Sequence, residues 1–386
     1  MDNLKLTGIQ RDVPLMEVSD GNLVLFHPHI PSRAKEYVSG VLDTRWIGQG
    51  PLVDKFEEDF SQMFCDGNVS LAVGSGTDAL HLAYMLAGIQ AGDEVAVPLF
   101  TCTATNLPLL YMGAKLKFID VDTSSLNISI DHLRASVTSK TKAIVVVHYG
   151  GYPSDMDAIM SLAQEFGIPV IEDAAQAVGA SYKGRPIGSI ADFTTFSFQA
   201  IKHITTGDGG LLTFKNPELE ALGKRLRWFG IDRSSKQLGI WENDIEEIGY
   251  KYQMTDISAA MGIAALEEWE DTVQIRRSLL AKYEELITDS DEIQILGRTN
   301  PDIVHGAWLC TIRVKRRKDL QEKLWRNKIE TNQVHYRNDR YSVFGGRKGG
   351  FPNMDAMEHE YLVLPLHTKM TVHDVERVAE LINSGW

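Results

Sequence analysis

Short apolar runs alternate with amphipathic segments through the middle of the chain. Residues 94–97, 116–119, 143–147 and 170–171 have the composition of buried strands, and the apolar spacing at 159–166 is typical of a helix between two of them. Buried strands that alternate with helices indicate a largely parallel sheet, because parallel strands need long crossover connections. The pattern therefore predicts an α/β fold.

The pattern changes in the last third of the chain. Residues 256–287 read as one long, partly amphipathic helix, and 311–314 beyond it read as a strand. A chain of 386 residues is long enough for two domains. We expect a large α/β domain at 1–265, whose first 50 residues form an N-terminal arm, and a small α+β domain at 266–386.

Composition excludes several classes of protein. With 39 basic and 52 acidic residues the formal charge is −13, which argues against binding along a nucleic-acid backbone. Cys65, Cys102 and Cys310 lie far apart, and no metal-binding spacing occurs, so neither a disulfide framework nor a metal site is expected. The chain has no signal-peptide pattern and no apolar run of membrane length, so we expect a cytoplasmic protein.

Lys202 is the first candidate for chemistry. It lies in an apolar and aromatic run at 195–210, with no carboxylate within five residues on either side. Such surroundings lower the pKa of a lysine because desolvation disfavours the ammonium. A neutral amine can form a Schiff base with a carbonyl, as pyridoxal phosphate (PLP) enzymes require. The alternative is an amphipathic residue whose ammonium reaches solvent.

A second candidate is the glycine-rich turn at 74–77, between a predicted strand at 68–73 and a helix that starts near Ala79. Small residues at a helix N-terminus let backbone N–H groups approach a phosphate. The spacing, with Glu94 downstream, also fits a dinucleotide-binding fingerprint. A merely structural turn is the third interpretation.

The third candidate is Asp173, which ends the apolar strand predicted at 168–171. A carboxylate at the C-terminal end of a strand faces the ligand crevice of an α/β enzyme, and in a PLP enzyme it would pair with the pyridine nitrogen. Alternatively it is a solvated acid or the N-cap of the next helix. The order of glycine-rich turn, strand-end aspartate and lysine is more restrictive than any one part.

These segments resemble the sugar aminotransferases of the DegT/DnrJ/StrS family, and in particular their GDP-perosamine synthase-like members. The resemblance extends over nearly the whole chain, and its motifs follow the family's order. They lie at 45–57, 74–80, 92–98, 118–122, 147–151, 168–177, 195–210, 249–256, 335–336 and 364–367. It implies the fold type I PLP-transferase architecture, with a mostly parallel, seven-stranded sheet and a smaller C-terminal domain.

The resemblance also implies roles for individual residues. Lys202 would hold PLP and then transfer the proton between the substrate and cofactor carbons. Asp173 would pair with the pyridine nitrogen, and Gln176 would lie near the phenolic oxygen. The phosphate would be bound by Gly76, Thr77 and Ser197.

Two cofactor positions depart from the family pattern. The residue that usually stacks on the PLP ring is aromatic, whereas here it is Cys102, so either Phe100 or the thiol would cover the ring. Many members place an asparagine from the partner subunit on the phosphate, and here that position is Lys251. The resemblance implies a homodimer whose subunits complete each other's active sites.

Candidate substrate residues come from motifs that line the cleft in similar enzymes. Arginine suits phosphate recognition, so two arginines after the His335-Tyr336 pair are candidates for binding a phosphorylated or nucleotide-linked substrate. The set consists of Trp46, Gln49, His335, Tyr336, Arg337 and Arg340.

The predicted function is a PLP-dependent aminotransferase that moves an amino group from L-glutamate to a keto group of a nucleotide-linked or phosphorylated sugar, as in polysaccharide biosynthesis. Other possibilities are an aminotransferase of a small phosphorylated ketone and a PLP-dependent sugar dehydratase. The family's dehydratases have histidine in place of the lysine, so Lys202 speaks against dehydration, and the adjacent His203 is not that substitution. A nicotinamide-dependent oxidoreductase and a non-catalytic regulator of the same fold are the remaining alternatives.

Overall fold

The computed structural model describes residues 15–19, 21–242 and 244–386. The first residues of the predicted N-terminal arm, 1–14, and residue 20 lie outside this part of the chain. The helices of at least five residues are α1 Ala34–Leu42, α2 Pro51–Phe64, α3 Gly76–Leu86, α4 Thr103–Tyr111, α5 Ile130–Ser136, α6 Met156–Phe166, α7 Glu220–Leu226, α8 Arg233–Gln237, α9 Asp256–Glu267, α10 Trp269–Leu286, α11 Arg317–Arg326, α12 Pro352–Met357 and α13 Val372–Asn383.

The strands include all four that the apolar runs predict, as β2, β4, β5 and β6. They are β1 Val69–Val73, β2 Glu94–Pro98, β3 Phe100–Thr101, β4 Lys115–Ile119, β5 Thr141–Val147, β6 Val170–Asp173, β7 Ser181–Tyr182, β8 Arg185–Pro186, β9 Phe193–Ser197, β10 Gly210–Phe214, β11 Ile293–Ile295, β12 Ile303–Val304, β13 Cys310–Val314, β14 Tyr336–Arg337 and β15 Tyr361–Leu364.

Seven strands form the central sheet in the order β1-β10-β9-β6-β5-β2-β4. Strand β10 is antiparallel to both of its neighbours, β1 and β9. The remaining neighbouring pairs, from β9–β6 to β2–β4, are all parallel. Strand β1 therefore runs in the same direction as β9, and six of the seven strands end at one edge of the sheet. The prediction of a mostly parallel, seven-stranded α/β sheet is confirmed.

The sheet is buried on both faces. Val145 and Val147 of β5 belong to one apolar cluster, whereas Ile144 and Val146 between them belong to the other. This alternation follows from the pleat, which points successive side chains to opposite faces. Helices cover both faces, so polar groups of the sheet reach ligands mainly at the edge where the strands end.

A third apolar cluster lies around the small antiparallel sheet β11-β13-β15 and helices α10, α11 and α13. The domain boundary at 265 stays a prediction. The single helix predicted at 256–287 is wrong, because α9 and α10 are separated at Glu268, whose φ of −102° and ψ of 8° interrupt the helix. Its carboxylate accepts the Ser32 N–H at 2.8 Å and also contacts His29. Nowhere in the described residues does a helix have the length and apolar character for crossing a bilayer.

Candidate active site

Strand register brings the three candidate segments to one edge of the sheet. Val73 at the end of β1 lies opposite Gly210, which in turn lies opposite Ser197 at the end of β9. Asp173 at the end of β6 lies opposite Thr195 of β9. The glycine-rich turn, Ser197 and Asp173 are therefore neighbours, although more than a hundred positions separate the turn from Ser197.

The glycine-rich turn becomes the N-terminus of α3, as predicted. The Ser75 hydroxyl oxygen caps the helix by accepting the Asp78 N–H at 3.1 Å. A Cβ added at Gly76 would lie 2.8 Å from the Cβ of Ser197, so only glycine allows this close approach. The exposed N–H groups of the first turn, with the Ser197 hydroxyl beside them, form a cradle of the kind that binds phosphate.

The dinucleotide interpretation of this turn does not fit the sheet. That fingerprint requires a parallel βαβ unit, whereas β1 is an edge strand next to the antiparallel β10. Glu94, the proposed ribose ligand, instead accepts a hydrogen bond from the Thr141 hydroxyl at 3.0 Å. The turn can therefore hold a phosphate without being part of a dinucleotide site.

Lys202 lies against the face of an indole ring. Its Nζ is 3.7 Å from the ring centroid of Trp308, which is buried and donates its own N–H to the Ile201 carbonyl at 3.0 Å. Burial lowers the pKa of Lys202 to about 8, although Cys102 and Asp173 oppose that shift. A substantial fraction of the amine is therefore neutral near physiological pH, as a Schiff-base lysine requires.

The Lys202 pKa gives a testable pH dependence. Only the neutral amine attacks a carbonyl, so the rate at which the apoenzyme captures PLP should rise with pH around a midpoint near 8. Stopped-flow absorption of the visible lysine–PLP band measures this rate. Asp173→Asn should move the midpoint lower, because the Asp173 charge raises this pKa. A midpoint at the ordinary lysine value of about 10.4 would contradict the assignment.

Asp173 is buried and has a donor on each carboxylate oxygen. Oδ2 accepts the Thr105 hydroxyl at 2.6 Å, and Oδ1 accepts the Ala175 N–H at 3.1 Å. These two hydrogen bonds hold the carboxylate in one orientation. A carboxylate oxygen has about two acceptor positions, so both retain capacity for a further donor.

Two hydrogen bonds fix the side-chain amide of Gln176, and its orientation determines the tautomer of His335. Its Oε1 accepts the Gly150 N–H at 2.7 Å, which directs its amide N–H groups towards Nε2 of His335 at 3.2 Å. Nε2 must therefore be the unprotonated, accepting nitrogen. Burial lowers the pKa of His335 to about 3, and the charge of Lys202 adds to the effect. His335 is a neutral acceptor, and the second amide N–H of Gln176 can donate to a ligand oxygen.

Phe100 does not lie where a ring-stacking residue would. It is 1% exposed and packs edge-to-face against Tyr149 and Tyr361, with ring centroids 5.0 and 5.1 Å away. This packing corrects the alternative in which Phe100 covers the cofactor ring. Cys102 is half-buried, directly precedes α4, and lies close enough to Lys202 to raise its pKa. Of the two alternatives, Cys102 stays a prediction.

Trp46 and Gln49 line a pocket of about 690 Å³, together with Trp228 and Arg233. Neither Lys202 nor Asp173 contributes to its lining in the described part of the chain. Lys251 is exposed, and its ammonium lies near the side-chain oxygen of Gln253 and 5.4 Å from the ring centroid of Phe229. These three candidates are not brought to the lysine within one chain.

Arg337 is wrong as a substrate ligand. Its guanidinium is buried and donates to both carboxylate oxygens of Asp339, at 2.6 and 2.9 Å, and also pairs with Asp355 and Glu358. These acids neutralise the charge that a phosphate would need. Arg340 is exposed and lies over the Tyr336 ring at 4.3 Å, so the Tyr336–Arg340 pair stays a candidate.

Two side chains at the site were not predicted. Trp308 contacts Lys202, and Thr105 contacts Asp173, yet neither lies in a motif that the sequence singles out. Trp308 precedes β13, more than a hundred residues after Lys202, so no local spacing indicates the contact. For the contact between Thr105 and Asp173 the local signal is weak: it consists of the spacing Thr101-x-x-x-Thr105 around Cys102.

The residues fit PLP as a set: a lysine of lowered pKa, a buried carboxylate, and a glycine cradle that a Cβ would fill. Together with the parallel sheet they define a fold type I PLP enzyme. The chain belongs to the DegT/DnrJ/EryC1/StrS aminotransferase family, whose model matches residues 28–383. The enzyme class and cofactor predicted from the sequence are confirmed, and the nicotinamide-dependent alternative is wrong.

Individual relatives agree with this assignment. The spore coat polysaccharide biosynthesis protein SpsC of Bacillus subtilis is 36% identical over 92% of this chain and 95% of its own. GDP-perosamine synthase of Escherichia coli O157:H7 is 33% identical over 93% and 97%. The sugar aminotransferase CalS13 of Micromonospora echinospora is 30% identical, with a TM-score of 0.89 over 94% of this chain and all of CalS13. Spr1654 of Streptococcus pneumoniae, solved in a PLP form, is 28% identical, with a TM-score of 0.87 over 94% and 98%.

Proposed function

We propose that this enzyme transfers the amino group of L-glutamate to a keto group of a nucleotide-linked sugar. The observation that supports it most directly is Lys202 with a pKa near 8, close enough to Asp173 for the two charges to interact. The similarity to GDP-perosamine synthase favours a nucleotide-linked sugar over a simpler phosphorylated ketone. A role in polysaccharide biosynthesis, in the cytoplasm, is part of the proposal.

Bound PLP would supply a carbonyl that links to amino groups and a ring that withdraws electrons from the carbon next to the nitrogen. Lys202 would hold the cofactor and, when free, would move the proton between the substrate and cofactor carbons. Asp173 would pair with the ring nitrogen, and the Gln176 amide would donate to the phenolic oxygen. Gly76, Thr77 and Ser197 would bind the phosphate, and Cys102 would cover the ring.

His335 would act as a hydrogen-bond donor towards the substrate side of the site through its Nδ1–H, because Nε2 already accepts from Gln176. Its neutral ring stacks on Trp308, with centroids 6.1 Å apart, and the Tyr361 hydroxyl fixes its carbonyl at 2.6 Å. A donating N–H suits a sugar hydroxyl or a carboxylate of the amino donor. Tyr336 and Arg340, next along the chain, would contact the nucleotide or phosphate part.

A homodimer with shared active sites is part of the proposal. It would give Trp46, Gln49 and Lys251, which this chain does not bring to Lys202, a place in the partner's site. Large apolar side chains nearby favour such an interface: Leu238, Trp241 and Ile248 are 80%, 73% and 83% exposed. Light scattering should give twice the chain mass. A monomer that is fully active would contradict the sharing of sites.

The proposal is tested by separating the two half-reactions. Adding L-glutamate to the holoenzyme without an acceptor should bleach the visible lysine–PLP band and release one equivalent of 2-oxoglutarate per site. After removal of glutamate, nucleotide-linked keto-sugars are screened for recovery of the band, with mass spectrometry of the aminated product. Dihydroxyacetone phosphate serves as the matched small phosphorylated ketone.

Each outcome distinguishes one alternative. Recovery of the band with a nucleotide-linked keto-sugar alone supports the proposal, and recovery with dihydroxyacetone phosphate alone favours the small-ketone aminotransferase. Loss of water from the sugar without consumption of glutamate would indicate a dehydratase. No spectral change with any amino donor would indicate a protein that binds PLP without turnover.

A further inference from the structure

A chain of two buried hydroxyl groups ends at the carboxylate of Asp173. The Thr105 Oγ1 lies 2.6 Å from Oδ2 of Asp173 and 2.7 Å from Oγ1 of Thr101. Thr105 is 0% exposed and Thr101 is 2% exposed. Water therefore cannot replace either hydrogen bond, and the partners of both hydroxyls are those of the folded protein.

The direction of this chain follows from the charge of Asp173. An ionised carboxylate only accepts, so the single proton of Thr105 must point to Asp173. The Thr105 oxygen is then the acceptor for the Thr101 proton. The order Thr101 to Thr105 to Asp173 polarises each donor in the same sense, and such chains strengthen the terminal bond to a charge.

Both hydroxyls are held by backbone contacts that do not involve a ligand. The Thr105 carbonyl accepts the hydroxyl of the buried Tyr84 at 2.7 Å, which fixes the first turn of α4. Thr101 is paired with Tyr336 in the β3–β14 ladder, and its carbonyl accepts the Asn338 amide at 2.8 Å. The donor geometry at Asp173 is thus preorganised by the fold.

We infer that Thr105, supported by Thr101, is a positioning residue that holds the Asp173 carboxylate oriented towards the pyridine nitrogen of PLP. The inference rests on the proposed role of Asp173. A donor on Oδ2 fixes the plane of the carboxylate, so that its remaining acceptor positions would face the ring nitrogen. The hydroxyl would act only through Asp173.

The test compares two cofactors that differ only at the ring nitrogen. Apoenzyme is titrated with PLP and with its 1-deaza analogue, in which carbon replaces that nitrogen, and the ratio of the two dissociation constants is the readout. Wild type should prefer PLP. Thr105→Val, which has nearly the same shape, should lower that preference about 10- to 100-fold, the usual contribution of a hydrogen bond to a charged group. Thr105→Ser should restore most of it.

Control variants separate the possible outcomes. Thr101→Val should lower the preference in the same direction by a smaller factor, which tests the chain even if Thr105→Val fails to fold. If Asp173→Asn lowers the preference but both valine variants keep it, the inference is wrong and the proposed role of Asp173 stands. If Asp173→Asn also keeps the preference, the proposed role of Asp173 fails. A merely structural role for Thr105 would weaken both cofactors equally.

Discussion

Lys202→Ala should reduce aminotransferase activity by about a thousandfold or more, because the substitution removes both the covalent attachment of PLP and the group that moves the proton. The visible lysine–PLP band should be absent, although PLP can still bind through its phosphate and Asp173. Activity is measured by release of 2-oxoglutarate from L-glutamate. Borohydride reduction followed by peptide mapping should locate the label on Lys202 in the wild type and nowhere in the variant.

Lys183→Ala is the matched control for this experiment. Lys183 is exposed and pairs with Asp157 at 2.8 Å, and this pair raises its pKa, so its amine stays protonated. The variant should keep the visible band, the label at Lys202 and full activity. Labelling of Lys183 in wild type, or a persistent band in Lys202→Ala, would show that a different lysine holds the cofactor.

Asp173→Asn has the second largest expected effect. Without the carboxylate the ring nitrogen loses the charge that keeps it protonated, and the rate of the glutamate half-reaction should fall about 100-fold or more. The affinity for PLP should fall as well. The measurements are single-turnover bleaching of the visible band by glutamate and titration of the apoenzyme with PLP.

Glu172→Gln provides an unusually close control, because Glu172 is the preceding residue of the same strand. It is fully buried on the opposite face, where it accepts the Thr194 hydroxyl at 2.6 Å and lies 3.3 Å from Nε2 of His148. Its loss should lower the free energy of unfolding by about 1–3 kcal/mol while PLP binding and turnover persist. Equal kinetic losses in both variants would mean that Asp173 has no special role.

Local sequence signals sufficed for the parts of the site that lie on single segments. The glycine-rich turn, the strand-end carboxylate and the lysine in an apolar run each have a signature within ten residues, and β1, β6 and β9 place all three at one edge. The caps of individual helices are equally local. The prediction of one helix through 268 failed at Glu268, where the backbone leaves the helical conformation and the carboxylate contacts Ser32 and His29, more than 200 positions earlier.

The predictions for Phe100 and Arg337 failed for a related reason. Both residues have suitable chemistry for a ligand, and they lie opposite each other in the β3–β14 ladder. The fold uses Phe100 to fill the core beside Tyr149 and Tyr361, and it neutralises Arg337 with acids from later in the chain. A residue type indicates what a side chain can bind, but its partners are decided by packing.

The sequence by itself determined the α/β class, the seven-stranded sheet, the enzyme family and the segments that supply the lysine, the aspartate and the phosphate turn. The α/β class follows from apolar periodicity, the family and the site segments follow from motifs that are contiguous in the chain, and the seven-stranded sheet is what the resemblance to the family implies. Only the tertiary structure decided that Trp308 lies against Lys202, that Gln176 fixes the tautomer of His335, and that Thr105 donates to Asp173. Such contacts depend on strand register and on packing between distant segments, and no local spacing encodes either.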